Sequence, residues 1–584
     1  MIRVVALRKA AVAGVAGAAA WEAVLRSLIL AGVPTFDIVK SLGTLVFPQG
    51  PASAWWPTGM AAHVLVGICW AVFYAYFFWS RFDWRPPLQG LVFAALPAVL
   101  ALAIVSPQLG LMQLDADEVQ LTRDLIMPPL SALEIGGLVL GHAIFGLVVG
   151  AIYVRPVGYR NEPVGKRLAK VRERPRKAAN GRPQGAGFIF AAGIECSYPT
   201  IEQGKWRRDE MDEMRHYQWW QRDFELAREI GITHLRWGPP LHLVLGGPGR
   251  FQWDLVDEPM AELEQFGPEP IVDLCHFGVP EWLGDFQNPE IAKALGEYAG
   301  AFAERYPWVR FYTPINEMYV TARMSTLDGL WNEQRKDESA FVTAALNLVA
   351  ANVAMTEAIL AKRPDAVFIQ SESSEFYQAC CPEPSIEERA AFENERRFLP
   401  LDLLFGHEVG DEMLGYLQQH GREAEYRRYL SREVPKRTVL GVDYYQWNEK
   451  LVDRDGQPRN LGELFGWSVI AGQYWRRYRR PMMHTETNFG NAAEAPRWLW
   501  RQWHNVQLLR TEGVPLIGFT WYSLTDQTDW EIGLRRPDGT VDPVGLFDLN
   551  RDPRPVALSY KHLIDLHRDQ PEYRECPALK ELLN

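Results

Sequence analysis

RFYTPINEMYV, residues 310–320, decides how the larger part of this chain is read. Arg310 to Ile315 is a short run with aromatic and β-favouring residues, and it ends on two polar side chains, Asn316 and Glu317. Asn-Glu alone says little, since the pair occurs five times in the chain. What matters is recurrence: FIFAAGIE starts at 188, ITHLRWG at 232, PIVDLCHF at 270, VFIQSES at 367, VLGVDYY at 439, MMHTETN at 482 and IGFTWYSL at 517. Between them lie stretches such as EIAKALGEYAGAFAERY, whose apolar residues return at helical spacing. Eight strands alternating with helices over about 400 residues predict an α/β chain folded as a (β/α)8 barrel, here over residues 187–584.

Side chains at the C-terminal ends of barrel strands converge on one mouth. Here those ends are polar: Glu195, Arg236, His276, Asn316 with Glu317, Glu372, Asp443 with Tyr444 and Tyr445, Glu486, and Trp521 with Tyr522. Glu317 and Glu486 fall on strands four and seven, opposite walls of an eight-stranded barrel. Two carboxylates facing each other across a mouth suit glycoside hydrolysis, in which a retaining enzyme holds the pair about 5–5.5 Å apart and an inverting one holds it wider. The sequence leaves that separation open.

The rest of the chain differs in kind. With 584 residues, 47% hydrophobic and 12% aromatic, the protein exceeds one ordinary domain and is not disordered. Residues 1–153 contain four apolar runs, roughly 10–32, 59–80, 89–108 and 131–153, each near the ~20 residues that cross a hydrocarbon core. A cleaved signal peptide would account only for the first. An all-α domain of about four transmembrane helices is therefore expected over 1–153. Arg3, Arg8, Lys9, Arg81 and Arg85 fall on one side of these runs, and Asp115, Asp117, Glu118 and Asp124 on the other. That asymmetry places both termini, and with them the barrel, on the cytoplasmic face of an inner or plasma membrane.

Residues 154–186 read as a linker, with ten Lys or Arg between 155 and 182 against Glu162 and Glu173. Anionic lipid headgroups are the expected partner; nucleic acid is not, because the run begins right after an expected membrane span and Tyr159 alone interleaves with the basic residues. Charge is balanced before residue 153 and the linker is strongly positive, so most of the net −11 and more resides in the barrel. The six cysteines show no metal-binding spacing, and free thiols with no metal or cofactor are expected. Within the apolar runs, Glu22 and Arg26 are spaced to pair, and His63, Glu134 and His142 lie in or near the second and fourth. They suit either a ligand or headgroup pocket or plain interhelical hydrogen bonding, with Gly137, Gly141, Gly146 and Gly150 admitting close helix approach.

From about residue 188 to 565 the chain resembles glycoside hydrolase family 1, the β-glucosidase and β-galactosidase type. EPIVDLCHFGVPEWL is similar to the family's strand-three segment, FYTPINEM to its Thr-x-Asn-Glu-Pro motif, LGVDYY to Gly-x-Asn-Tyr-Tyr, HTETNFG to Thr-Glu-Asn-Gly, and YSLTDQTDW to Trp-Ser-Leu-x-Asp-x-x-Glu-Trp. The resemblance implies Glu317 as general acid and then base, and Glu486 as the nucleophile, kept ionised by Arg236 and Tyr445. It also implies that Asn316 donates to the sugar 2-hydroxyl, while His276, Asp529, Trp530 and, by its strand-end placement, Trp521 hold or stack on the sugar. Departures accompany it. ECSYPT offers no Gln at the strand-one position, Asp443 stands where the family has Asn, Asp529 where it has Glu, Met318 where it has Pro, and Thr487 where it has Asn.

The expected function is a membrane-bound retaining β-glycosidase or transglycosylase that works through a covalent glycosyl-enzyme on a glycolipid or lipid-linked glycoside. The alternative is a catalytically silent sugar-binding barrel serving a membrane complex.

Overall fold

The structure is a computed structural model that describes residues 7–47, 51–78, 86–102, 131–153, 186–430 and 432–584. It divides into two compact units, Met1–Glu162 and Pro163–Asn584. The basic residues Arg3, Arg81 and Arg85, the acidic stretch Asp115 to Asp124 and the linker up to residue 185 lie outside the described residues.

The first unit is helical. Leu7–Leu30, Ala52–Phe73 with its continuation Tyr74–Phe78, and Ala132–Ile152 are its long helices. Lys9–Leu30, Ser53–Phe78 and Ala132–Ile152 are long and apolar enough to cross a membrane. The third expected run, 89–108, is different. It forms Pro86–Phe93 and Ala95–Leu100, an apolar helix over Pro87–Leu100 that is shorter than a full crossing, and residues 103–108 lie outside the described set. A short helix not anticipated from the sequence, Ile38–Val46, begins at Asp37, whose side chain accepts from Lys40 N.

Glycine sets the helix spacing in this unit. A Cβ on Gly146 would lie 2.2 Å from Gly90 O, and one on Gly14 would lie 2.6 Å from Ile68 Cα. Backbones that close exclude any larger side chain. Gly141 receives the Trp21 indole, which lies against both His63 and His142 with ring centroids 4.9 and 4.4 Å away. Arg26 pairs with Glu22 as its spacing predicts, and also takes both oxygens of Asp37 at 2.9 Å. Glu134 has a local role. It closes a capping box with Ser131 at the start of its helix, where four backbone N–H groups need acceptors.

The second unit is the barrel. Its strands are β1 (Ile189–Gly193), β2 (His234–Trp237), β3 (Glu269–Asp273), β4 (Phe311–Thr313), β5 (Val367–Ser373), β6 (Thr438–Asp443), β7 (Met482–His484) and β8 (Leu516–Tyr522). All eight expected runs contribute a strand. Neighbours in sequence pair in parallel and β8 closes on β1, with Ile189 opposite Gly518 and Gly193 opposite Tyr522. Every residue of β5, β6 and β8 is buried, as expected when helices cover the outside and side chains fill the inside.

The helices follow from patterning. In Ile291–Arg305 the buried residues include Ile291, Leu295, Tyr298, Ala299 and Phe302, one stripe at helical spacing. Glu338–Lys362 packs against it and is apolar on most faces, so it too passes as membrane-crossing by composition, yet it belongs to the barrel wall. Asp337 starts that helix by accepting from Ser339 N and Ala340 N.

One strand glycine bears on the mouth. A Cβ on Gly193 would lie 2.1 Å from the ring of Tyr522. Gly193→Ala is therefore expected to push that ring aside and cost about 1–3 kcal/mol of stability by overpacking, read as a lowered denaturation midpoint.

Candidate active site

At the C-terminal ends of the strands the structure gathers Arg236 from β2, His276 after β3, Asn316 and Glu317 after β4, Tyr445 after β6 and Glu486 after β7. A cavity of about 190 Å³ opens there, lined by Glu317 and Glu486 together with Glu195, His276, Tyr445, Gln527 and Trp530. Phe277, Val320, Met324 and Trp447 add apolar surface to it, among polar side chains that include Arg323, Asp328, Gln446, Asn448 and Lys450. Trp447 lies flat on Tyr445, ring centroids 5.0 Å apart, and is 37% exposed.

Glu486 accepts from the Arg236 guanidinium on one oxygen and from Tyr445 Oη, at 2.6 Å, on the other. Burial and the Glu486 charge push the Tyr445 hydroxyl far above its ordinary range, so it stays a donor. Arg236 also donates to Asp273 at 2.7 Å and to the Asn316 side-chain carbonyl. Because that carbonyl is taken, the Asn316 amide nitrogen is the donor to His276 Nε2 at 3.0 Å. His276 then carries its proton on Nδ1, donated to Asp273 at 2.8 Å. Arg236, Asp273, His276, Asn316 and Glu486 thus form one hydrogen-bonded network along the floor of the mouth. Tyr522 lies over it, its ring 5.5 Å from the Arg236 guanidinium and nearly parallel to the His276 imidazole.

Glu317 occupies a different environment. Its backbone is held by Glu317 N donating to Ser371 O at 3.0 Å, and its φ is +40°. Phe277 and Asp529, also just beyond strand ends, share the left-handed region, a conformation that persists in non-glycine residues where surrounding structure imposes it. Burial, then the charges of Asp443 and Glu486, hold the Glu317 carboxyl well above its ordinary value. Asp443 accepts from Ser371 Oγ at 2.8 Å, and burial with the Glu486 charge raises it as well. Asp443→Asn removes one of the negative groups acting on Glu317. The alkaline limb of the pH–rate profile is expected to move to lower pH in that variant.

Four expected sugar contacts do not line the cavity: Arg236 and Asn316 are buried in the network beneath it, with both ends of the Asn316 carboxamide engaged by Arg236 and His276, and Trp521 and Asp529 lie elsewhere. Trp521 is fully buried and its indole N–H donates to Val544 O at 3.0 Å, because β8 alternates and this side chain points away from the mouth. Asp529 is fully buried too. It accepts from Arg208 at 3.0 Å and from Gly539 N and Thr540 N at 2.8 Å, shaping the loop that carries Trp530. Glu372 also stays structural, accepting from Tyr319 N at the start of the helix that follows Glu317.

Several wall residues stand outside the expected catalytic and sugar-binding set, although Glu195 was expected at the mouth as a polar strand end. Glu195 accepts from Gln527 Nε2 at 2.9 Å and from Ser197 N at 2.8 Å. Asp542 accepts from Trp530 N at 2.6 Å. At the rim, Glu375 is bridged by Lys450 at 2.9 Å and Arg323 at 3.2 Å. Among the described residues, Cys196, Asp273 and His276 are the group whose ligand atoms could meet on a metal ion. The Arg236 guanidinium already occupies Asp273, so a metal cation there would compete with it.

Residues 200–455 match the model of the family described as Glycosyl hydrolase family 1. That span includes Arg236, His276, Asn316, Glu317 and Tyr445, and ends before Glu486. Beta-glucosidase A of Thermotoga maritima is 24% identical over 363 residues, covering 56% of this chain and 81% of that protein. A 1,4-beta-D-glucan glucohydrolase of Thermotoga neapolitana is 23% identical over 363 residues, covering 56% and 85%. The solved structure of beta-glucosidase from Thermotoga maritima in complex with glucoimidazole superposes with a TM-score of 0.55 at 16% identity, covering 65% of this chain and 98% of that one.

Proposed function

Starting from a chain whose barrel is a glycosyl hydrolase family 1 domain, we propose that it is a membrane-bound retaining β-glycosidase acting on a glycolipid or lipid-linked glycoside. The observation that carries the chemistry is the unlike treatment of two carboxylates in one cavity. Glu486 faces a guanidinium and a phenol donor, while Glu317 is buried beside negative charge with no cation on it. Two carboxylates in such unlike surroundings divide the labour of glycoside cleavage. Glu317 donates its proton to the departing oxygen as Glu486 attacks the anomeric carbon. The glycosyl-enzyme is then opened by water, or by a sugar or lipid hydroxyl, whose proton returns to Glu317.

The reading of the substrate rests on two features. Three long apolar helices are present in the first unit, and apolar surface from Phe277, Val320, Met324 and Trp447 adjoins the catalytic pair. Those side chains give an apolar leaving group a surface to pack on, beside polar residues such as Gln446 and Asn448 that also line the cavity. Both the full chain's anchoring and its cytoplasmic orientation, with the basic linker against anionic headgroups, belong to this proposal. So does transglycosylation, which an apolar acceptor site that excludes water would favour.

Incubation of the detergent-purified full chain with membrane lipid extract and either water or an alcohol, with products identified by mass, tests the reading. Release of free sugar supports hydrolysis, and transfer to the alcohol supports the transglycosylase form. No change in any lipid, together with no turnover of aryl β-glycosides, overturns it in favour of a silent binding barrel.

A further inference from the structure

One wall of the cavity carries two buried carboxyl groups, Glu195 and Asp542, that no cation among the described residues meets at hydrogen-bond distance. Glu195 is 1% exposed and its partners are the Ser197 amide and hydroxyl and the Gln527 carboxamide, all neutral donors. The nearest ring nitrogen, His276 Nε2, is 4.0 Å away and already accepts from Asn316. Asp542 stands beside Gln527 in an antiparallel strand pair. It is 3% exposed, with one oxygen held by the Trp530 and Glu531 amides and the other, Oδ1, unpartnered. The cationic side chains that line the cavity, Arg323 and Lys450, are both engaged by Glu375 at the rim.

A neutral sugar hydroxyl would add one more neutral donor to such carboxyl groups and leave their burial uncompensated. A cation would compensate both, because a buried carboxylate is stable when paired with an opposite charge. Resting on the glycosidase reading, we propose that the glycone taken by this cavity is an amino sugar, its ammonium group held on the wall of Glu195 and Asp542. Gln527 is bonded to Glu195 and paired in the sheet with Asp542, and it offers a carboxamide oxygen as a third acceptor for the same group. The orphaned Oδ1 of Asp542 is the acceptor the ammonium would fill.

Isothermal titration of the full-length protein in detergent with glucose and with its 2-, 3-, 4- and 6-amino-deoxy analogues tests the assignment and locates the amine on the ring. At least one amino sugar is expected to bind ten times or more tightly than glucose. The combined substitution Glu195→Gln and Asp542→Asn, which keeps the shape and removes the charge, is expected to bring that ratio close to one. Each single substitution is measured alongside, with its unfolding temperature, so that a poorly folded double variant does not hide the result. Binding of every amino sugar no tighter than glucose, or a preference unchanged in all folded variants, overturns the proposal. Labelling of Glu486 in the same preparation by a 2-deoxy-2-fluoro-glycosyl fluoride reports separately on the glycosidase reading: labelling without amine preference sinks only the amino-sugar assignment.

Discussion

Glu486→Gln is expected to lower kcat on an aryl β-glycoside by about 10⁴-fold or more, the scale seen when a covalent nucleophile is removed. The substitution keeps the volume of the side chain, and its carboxamide oxygen can still accept from Tyr445 or Arg236. The fold and the cavity should therefore survive, which an unfolding temperature near that of the parent would verify. What disappears is the oxygen pair that attacks the anomeric carbon. Replacing Glu486 with Gly and adding azide sharpens the assignment, since azide would then enter from the face Glu486 occupied. A β-glycoside would yield the α-glycosyl azide, with no second displacement to restore the configuration. Retention of a tenth or more of the activity in Glu486→Gln, or a β-azide product from Glu486→Gly, would remove Glu486 from the role of nucleophile.

The barrel was legible in the sequence because each of its strands is bounded and buried. In RFYTPINE or VFIQSES a β-rich run stops at a polar residue, and in the structure that residue marks the mouth. The residues on the floor of the mouth, Arg236, His276, Asn316, Tyr445 and Glu486, were legible for the same reason. A position at the end of a strand has a fixed direction, set by the alternation of side chains and by the barrel's closure. Alternation also explains the miss at Trp521. Tyr522, one residue on, is the ring that faces Arg236 and His276, so a choice between adjacent aromatics required a register that hydrophobicity does not give.

Loops beyond the strands were less legible. Asp529 matched a family position, yet the left-handed backbone at that residue and the buried Arg208 pull its carboxylate into the loop interior. Arg208 lies 321 residues earlier in the chain, and nothing local announces the contact. Gln527 and Asp542 reach the cavity from a hairpin whose pairing only the tertiary structure reveals. In the helical unit, length and apolarity were enough to locate Leu7–Leu30 and Ala132–Ile152. Over 89–108 they located the apolar helix of Pro87–Leu100, which breaks at Ala94 ahead of Pro97, a residue that cannot donate to the ladder, while residues 103–108 lie outside the described residues.

Glu317→Ala is expected to divide substrates by their leaving groups. With an alkyl or lipid aglycone, whose oxygen must receive a proton as the bond breaks, kcat/KM should fall by roughly 10²–10⁴-fold, the usual reach of general acid catalysis. With 2,4-dinitrophenolate, which departs unprotonated, the first step should be nearly unchanged and the glycosyl-enzyme should accumulate for want of a base. The parent enzyme's pH profile follows from the same residue. Burial and the charges of Asp443 and Glu486 raise the Glu317 carboxyl, so the acid form persists above the ordinary carboxylate range. Activity on poor leaving groups should hold there and decline as pH climbs through the raised value, a limb that Glu317→Ala should abolish. The same charges make the residue reversible. Once Glu486 is esterified by the sugar its negative charge is gone, and one of the influences that raised Glu317 goes with it. Its proton having left with the aglycone, Glu317 is then a carboxylate with less reason to recapture one, and it can draw a proton from the water or alcohol that opens the intermediate. An unaltered alkaline limb in Glu317→Ala, or equal losses on both classes of leaving group, would assign the proton transfer elsewhere.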